Sequence, residues 1–328
     1  MFLGWRRSRG RGVLVGACAG VLLVVLGGVT GCGTDTEGAP GAGDKLAVIT
    51  AFYPLQYAAE RIVGSHADVT NLTKPGAEPH DLELTPRDVA TIEEAGLVIY
   101  LNGFQPAVDD SIAQVAGGHS LDVTTLARLT RPAASDVHED AHEDGEEDHA
   151  DNEARGAPDP HFWLDPVRLA GVGDGIAERL AALDPDHAQA YERNAGALRA
   201  DLEALDEEFA TGLATCTNRE LVTSHAAFGY LAARYDLEQE GIAGLSPEQE
   251  PSPAELSAVA TFVRRHDVRT IYYETLVDPS IADTLATETG ADVAVLDPLE
   301  GLTDESAGTD YLSVMRANLA TLEKGQDC

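Results

Sequence analysis

Residues 187–214 read HAQAYERNAGALRADLEALDEEFATGLA, one unbroken helical pattern with a run of short strand-and-helix alternations on each side. At 1.5 Å per residue the stretch spans roughly 40 Å, long enough to brace two bodies rather than belong to one. Before it, KLAVIT, ADVTNLT, LVIYLN and the weaker HSLDVT read as strands separated by helical segments. After it, ELVTS, LEQEGIAG, RTIYYE and DVAVL do the same. Strands that alternate with helices pair in parallel and are covered on both faces. The expected fold class is therefore α/β: two similar lobes, each with a mostly parallel four-stranded sheet, joined by one long helix.

Local punctuation supports these elements. Thr85-Pro86 with Asp88 opens one helix and Gly96 ends it. Asp165-Pro166 opens another, running to about Leu183, and Asp184-Pro185 starts the long one. PLQYAAERIV is a helix closed by Gly64, a further helix begins near Pro106, and AAFGYLAARY reads as helical. Ser252-Pro253-Ala254-Glu255 forms a capping box, one helix ends at Gly290, and YLSVMRANLATLEK is the last.

The N-terminus belongs to none of this. Arg6, Arg7, Arg9 and Arg11 precede an uncharged run from Val13 to Val29, which borders on membrane-spanning length. Val29-Thr30-Gly31-Cys32 then resembles a bacterial lipobox, so residues 1–31 are expected to be a signal peptide and Cys32 the lipidated residue. The alternative is an uncleaved signal anchor. GTDTEGAPGAGD completes a flexible tether over 32–44. The expected location is the extracytoplasmic face of the cell membrane, through a lipid anchor.

Export gives the other cysteines meaning. Cys18 leaves with the signal peptide, and Cys216 and Cys328 form an even pair in an oxidising compartment, so a disulfide is expected. Neither sits in a CxxC-type pair, which argues against a thiolate metal site. The formal charge is −34 and falls to about −38 without the signal arginines. Such a surface repels nucleic acid and anionic lipid and attracts cations.

SDVHEDAHEDGEEDH, residues 135–149, places His138, His142 and His149 among carboxylates with almost nothing apolar to bury. It reads either as a solvated acidic loop, spanning about 135–155, or as a weak metal-collecting tract.

Three further histidines stand where ligands gather in open α/β sheets, near the carboxyl ends of strands. His80 lies in the loop after ADVTNLT, His225 directly follows ELVTS, and His161 precedes FWL and the helix capped by Asp165. Asp297 closes DVAVL and Glu274 closes RTIYY. Singly, each has an ordinary structural reading: a hydrogen-bonded histidine, or an Asp before Pro that forms a turn. As a set, three imidazoles and a carboxylate meeting in one cleft suit a four-coordinate cation such as zinc. His66, His119, His187 and His266 look like surface or helix-end positions.

PGAEPHDLELTPRD, DPHFWLDP, VTSHAAFGYLAARY and VLDPLEGLTDESAGTDYLSVMRANL together resemble the ZnuA/TroA-like metal-binding lipoproteins, the solute-binding components of zinc and manganese ABC importers. The resemblance runs from about Lys45 to the end. It implies an N-terminal lobe over 45–183, a rigid linking helix over 184–213 and a C-terminal lobe over 214–328. Metal would be held between the lobes by His80, His161, His225 and Asp297, with Glu274 orienting a ligand from behind. Manganese-type members tend to carry Glu where His225 stands, so the softer imidazole favours Zn2+ over Mn2+ as the transported ion. An acidic, His-rich insert between the first two histidines also occurs in zinc-type members. The implied partners are a permease and its ATPase, with the chain acting as a monomer.

The alternatives are a surface adhesin or zinc store, and a zinc hydrolase. A hydrolase needs an open coordination position for water, and the sequence carries neither HExxH nor GxSxG. No enzymatic activity is expected.

Overall fold

The computed structural model describes residues 45–130 and 158–328. The expected signal peptide, Cys32 and the tether lie outside the described residues, as do His138, His142 and His149 with their loop. Among the described residues no helix is long and apolar enough to cross a membrane.

The first lobe contains β1 (Leu46–Thr50), α1 (Tyr53–Val63), β2 (Ala67–Asn71), α2 (Pro86–Glu94), β3 (Leu97–Tyr100), α3 (Pro106–Ser111), β4 (Ser120–Asp122) and α4 (Thr124–Ala127). Its sheet has the order β2-β1-β3-β4, with every pair parallel. In α1, Leu55, Ala58, Ala59 and Ile62 recur at helical spacing and are fully buried. Gly64 ends that helix at φ +54°, a conformation glycine adopts without a Cβ penalty. Thr85 caps α2 in a reciprocal box with Asp88, a motif worth about 1 kcal/mol.

After α5 (Pro166–Leu183) comes the long helix α6 (Ala188–Gly212), entered through a 3-10 turn over Pro185–His187. Its 25 residues extend about 38 Å. Tyr191, Ala195, Leu198, Leu202, Leu205 and Phe209 are buried at alternating spacings of four and three, so one stripe faces the protein along nearly the whole length.

The second lobe repeats the first. β5 (Glu220–Thr223), α7 (Gly229–Arg234), β6 (Glu238–Gly241), α8 (Pro253–Arg265), β7 (Thr270–Tyr273), α9 (Ser280–Thr289), β8 (Asp292–Val295) and α10 (Tyr311–Gly325) build a parallel sheet of order β6-β5-β7-β8. Both sheets share one strand order, so the two-lobe expectation holds although the lobes have no close sequence repeat. One apolar cluster runs from Val48 and Phe52 through α5 and α6 to Tyr311 and Leu322, and a smaller one packs Val259, Val263 and Leu285 behind β7. Cys216 and Cys328 are joined, which ties the end of the chain to the start of the second lobe.

The segment read as AAFGYLAARY is helical only from Gly229. Residues 224–228 serve a different purpose. Thr223 Oγ1 donates to His225 O at 2.6 Å, and Ala226 N donates to Gly244 O at 2.8 Å. These bonds shape the strand-to-helix turn that carries His225.

Candidate metal centre

Each candidate ligand sits on irregular backbone held by regular elements. His80 lies in the long loop between β2 and α2, where its backbone N–H donates to Glu78 Oε1 at 2.9 Å. His161 is the residue before a 3-10 turn, Phe162–Leu164, whose three side chains are fully buried. His225 is presented by the turn after β5.

The three imidazoles converge on one oxygen. Glu300 Oε1 lies 3.2 Å from His80 Nε2, 3.1 Å from His161 Nε2 and 3.3 Å from His225 Nε2. His161 Nε2 and His225 Nε2 are 3.4 Å apart, and all four ligand atoms lie within 4.8 Å of one another. Zinc bonds of 2.0–2.1 Å to nitrogen and oxygen give a tetrahedron with edges of about 3.3–3.4 Å. Four of the six separations already have nearly that length.

Asp297, the carboxylate expected from the sequence, is not the one that joins the histidines. Its Oδ1 accepts from Leu299 N at 2.8 Å and its Oδ2 from Ser306 Oγ at 3.0 Å. Its own backbone N and O are bonded to the Asn318 side chain. Asp297 thus folds the turn, Leu299 passes through it at φ +59°, and Glu300 emerges facing the imidazoles. The available signal was local: Asp before Pro is a turn former, and Glu300 follows one residue after that turn's apolar Leu299.

A second layer of carboxylates stands behind the ligands. Glu274 Oε1 is 2.7 Å from His225 Nδ1 and also accepts from Ser224 Oγ at 2.6 Å. Asp159 Oδ1, which the sequence did not reveal, is 2.8 Å from His161 Nδ1 and accepts from His161 N at 2.9 Å. A carboxylate on Nδ1 fixes the proton there and turns the Nε2 lone pair toward a metal. Aromatic rings close the first-lobe side. Phe104 meets His80 edge-on with centroids 4.7 Å apart, and the Trp163 ring lies 5.3 Å from His161. Trp163 Nε1 donates to Pro298 O at 2.7 Å, which ties the His161 segment to the turn bearing Glu300.

Charge is concentrated here at very low exposure: His161 and Glu300 are 0% exposed and His225 is 1% exposed. Burial pushes the His225 imidazolium down, but Glu274 and Glu300 together outweigh it and hold its pKa well above 6.5. His161 is raised for the same reason, against its own burial, by Asp159 and Glu300. Burial works to protonate Glu300, yet hydrogen bonds from His161, His225 and His80 keep it well below the usual carboxylate range. Burial, and then the facing Glu300, push Glu78 up. In the metal-free protein, His161 and His225 therefore hold their protons more tightly than an ordinary histidine.

The remaining described histidines have structural surroundings. His119 Nε2 is 3.1 Å from Ile92 O, His66 stacks near His187, and His266 stacks on Phe262.

Two parallel-sheet lobes bridged by one long helix, with a His3Glu cluster sunk between them, define a cleft-type metal-binding protein. The chain belongs to the ZnuA family, described as zinc-uptake complex component A, periplasmic, whose sequence profile matches residues 48–325. It is 39% identical over 303 residues to the high-affinity zinc uptake system protein ZnuA of Bacillus subtilis, covering 90% of this chain and 92% of that one. It is 35% identical over 290 residues to the zinc-binding lipoprotein AdcA of Streptococcus pneumoniae, covering 87% of this chain but only 57% of AdcA. The Zn(II)-bound ZnuA-like domain of that AdcA superposes with a TM-score of 0.68 at 33% identity, over 87% of this chain and 100% of the domain. The laminin-binding protein Lmb of Streptococcus agalactiae, described as bifunctional with adhesin and metal-transporting activity, gives 0.74 at 33% identity, over 86% and 99%.

Proposed function

We propose that this chain captures Zn2+ outside the cytoplasm with His80, His161, His225 and Glu300 and delivers it to the permease and ATPase of an ABC importer. The observation that carries the reading is the convergence of three Nε2 atoms on Glu300 Oε1 at near-tetrahedral separations. Three imidazoles and one carboxylate suit zinc better than the harder manganese ion. Four protein ligands leave no open position on a tetrahedral ion for an activated water, which favours binding over hydrolysis. Glu274 orients His225 from behind. Cys32 carries the lipid that keeps a monomeric chain at the extracytoplasmic face of the cell membrane, and the acidic, His-rich residues 135–155 collect metal more weakly.

The test is a competitive metal titration of apo, unlipidated protein, with bound metal quantified by mass spectrometry. One tight zinc, preferred over manganese, is expected, and preference for manganese overturns the zinc assignment. Zinc-dependent turnover of ester or peptide substrates would reinstate a hydrolase. Permease and ATPase genes beside this one support import. Retention on immobilised laminin favours the adhesin activity described for Lmb.

A further inference from the structure

Asp159 is held more elaborately than a carboxylate on a histidine requires. The residue is 3% exposed, and its side chain bonds both the ring and the backbone N–H of His161 through Oδ1. Its backbone O accepts from Tyr230 Oη at 2.9 Å, a contact between residues 71 apart in sequence. The same hydroxyl accepts from Thr130 N at 2.8 Å and lies 3.2 Å from Thr130 O, while Asp159 N donates to Thr130 O at 2.9 Å. One phenol thus clasps Thr130 to Asp159.

Two neighbours build the clasp. Gly229 leaves room for the carboxylate, since a Cβ there would come within 2.8 Å of Asp159 Oδ2. The Arg168 guanidinium covers the Tyr230 ring at 4.3 Å and donates to Ala127 O at 2.9 Å, holding the ring and the end of α4 together. Tyr230 itself is 5% exposed and belongs to the second lobe, whereas Asp159 and His161 precede α5 of the first.

We propose that Tyr230 and Gly229 are positioning residues for the metal centre, acting through Asp159 to fix the tautomer and aim of His161. The proposal rests on the four-ligand reading above. Tyr230 sets where the Asp159 backbone lies, Gly229 sets where its carboxylate lies, and the two Oδ1 bonds transmit both to the imidazole.

The test compares Tyr230→Phe, Gly229→Ala and Asp159→Asn with wild-type full-length protein. It reads the visible spectrum of the Co2+-loaded form, the zinc release rate to a chelator, and the melting temperature without metal. Loss of a partner behind a ligating histidine weakens metal binding about 10–100-fold, so Asp159→Asn should fall in that range. Tyr230→Phe should release zinc about tenfold faster. Gly229→Ala should shift the Co2+ bands although no polar group is removed. Metal-free melting close to wild type in Tyr230→Phe, with altered Co2+ bands, supports positioning. Wild-type bands and release rates in both Tyr230→Phe and Gly229→Ala overturn it, as does a loss of melting temperature with the bands unchanged. Should Gly229→Ala not fold, Tyr230→Phe decides alone. Failure of wild type itself to bind zinc or cobalt would instead sink the four-ligand reading, so the two failures are distinct.

Discussion

Asp297 and Glu300, three residues apart, divide one turn between them: Asp297 holds it shut with both carboxylate oxygens, and Glu300 is what it presents to the three imidazoles. A carboxylate spent on Leu299 N and Ser306 Oγ is poorly placed to ligate, whereas Glu300 Oε2 has no hydrogen-bond partner among the described residues and Oε1 faces three imidazoles.

The two substitutions should therefore separate. A zinc site worth on the order of 12 kcal/mol and shared among four ligands loses about 3 kcal/mol, or on the order of 10²-fold, when one goes. Glu300→Ala is expected to show that loss in competitive titration, as are alanines at His80, His161 and His225. Asp297→Asn, which keeps an acceptor for Leu299 N, should stay within about tenfold of wild type. The opposite order would return Asp297 to the ligand set.

Zinc affinity should rise steeply with pH. Ligation needs neutral imidazoles, and His161 and His225 hold protons more tightly than an ordinary histidine. Competition from protons should therefore persist above about pH 6.5. The metal-free protein should behave oppositely. A raised histidine pKa contributes stability that is complete below about 6.5 and is lost as pH rises through the higher folded value. Melting curves of apo and zinc-loaded protein across that range should diverge as pH increases, and parallel curves would contradict the assignment.

Excising residues 136–153 should leave the tight site intact. Asp159 N donates to Thr130 O, so the described chain on either side of the excised stretch is already joined and a short connection suffices. Calorimetry should retain one tight zinc and lose weaker additional binding from His138, His142 and His149. Loss of the tight site would place the tract in the primary shell.

Reducing the Cys216–Cys328 bridge should lower unfolding stability by about 2–4 kcal/mol, because it closes a loop across a separation of 112 residues. Denaturant titration of the oxidised protein against Cys328→Ser measures it. Thiol titration of native protein should find neither cysteine free.

Cys32→Ser should release the protein from membranes into the soluble fraction. Unchanged retention on fractionation would make Val13 to Val29 the anchor.

What the sequence determined by itself was local. Period, capping and punctuation specified the strands, the helix starts at Pro86, Pro166 and Pro253, and the long buried stripe of α6, because each depends on residues within a few positions. His80, His161 and His225 were legible for a related reason: they sit at or beside element ends, where parallel sheets collect ligands. The helical pattern of AAFGYLAARY overruns the helix because Gly244, outside the segment, accepts from Ala226 N at its start.

Local pattern marks Asp297 as a turn former, but only the tertiary contacts set Glu300 against the three imidazoles. Both are acidic and both follow β8, and the choice depends on Ser306 and Asn318 reaching back to Asp297 from 9 and 21 residues away. Asp159 became visible for the same reason. It stands two residues before His161, yet its backbone O meets a phenol from the other lobe and its carboxylate lies where a Cβ on Gly229 would crowd it, neither of which is encoded near it. Hydrogen-bond direction at a metal site is fixed by groups that meet only once the lobes have packed, and local pattern contains no information about that meeting.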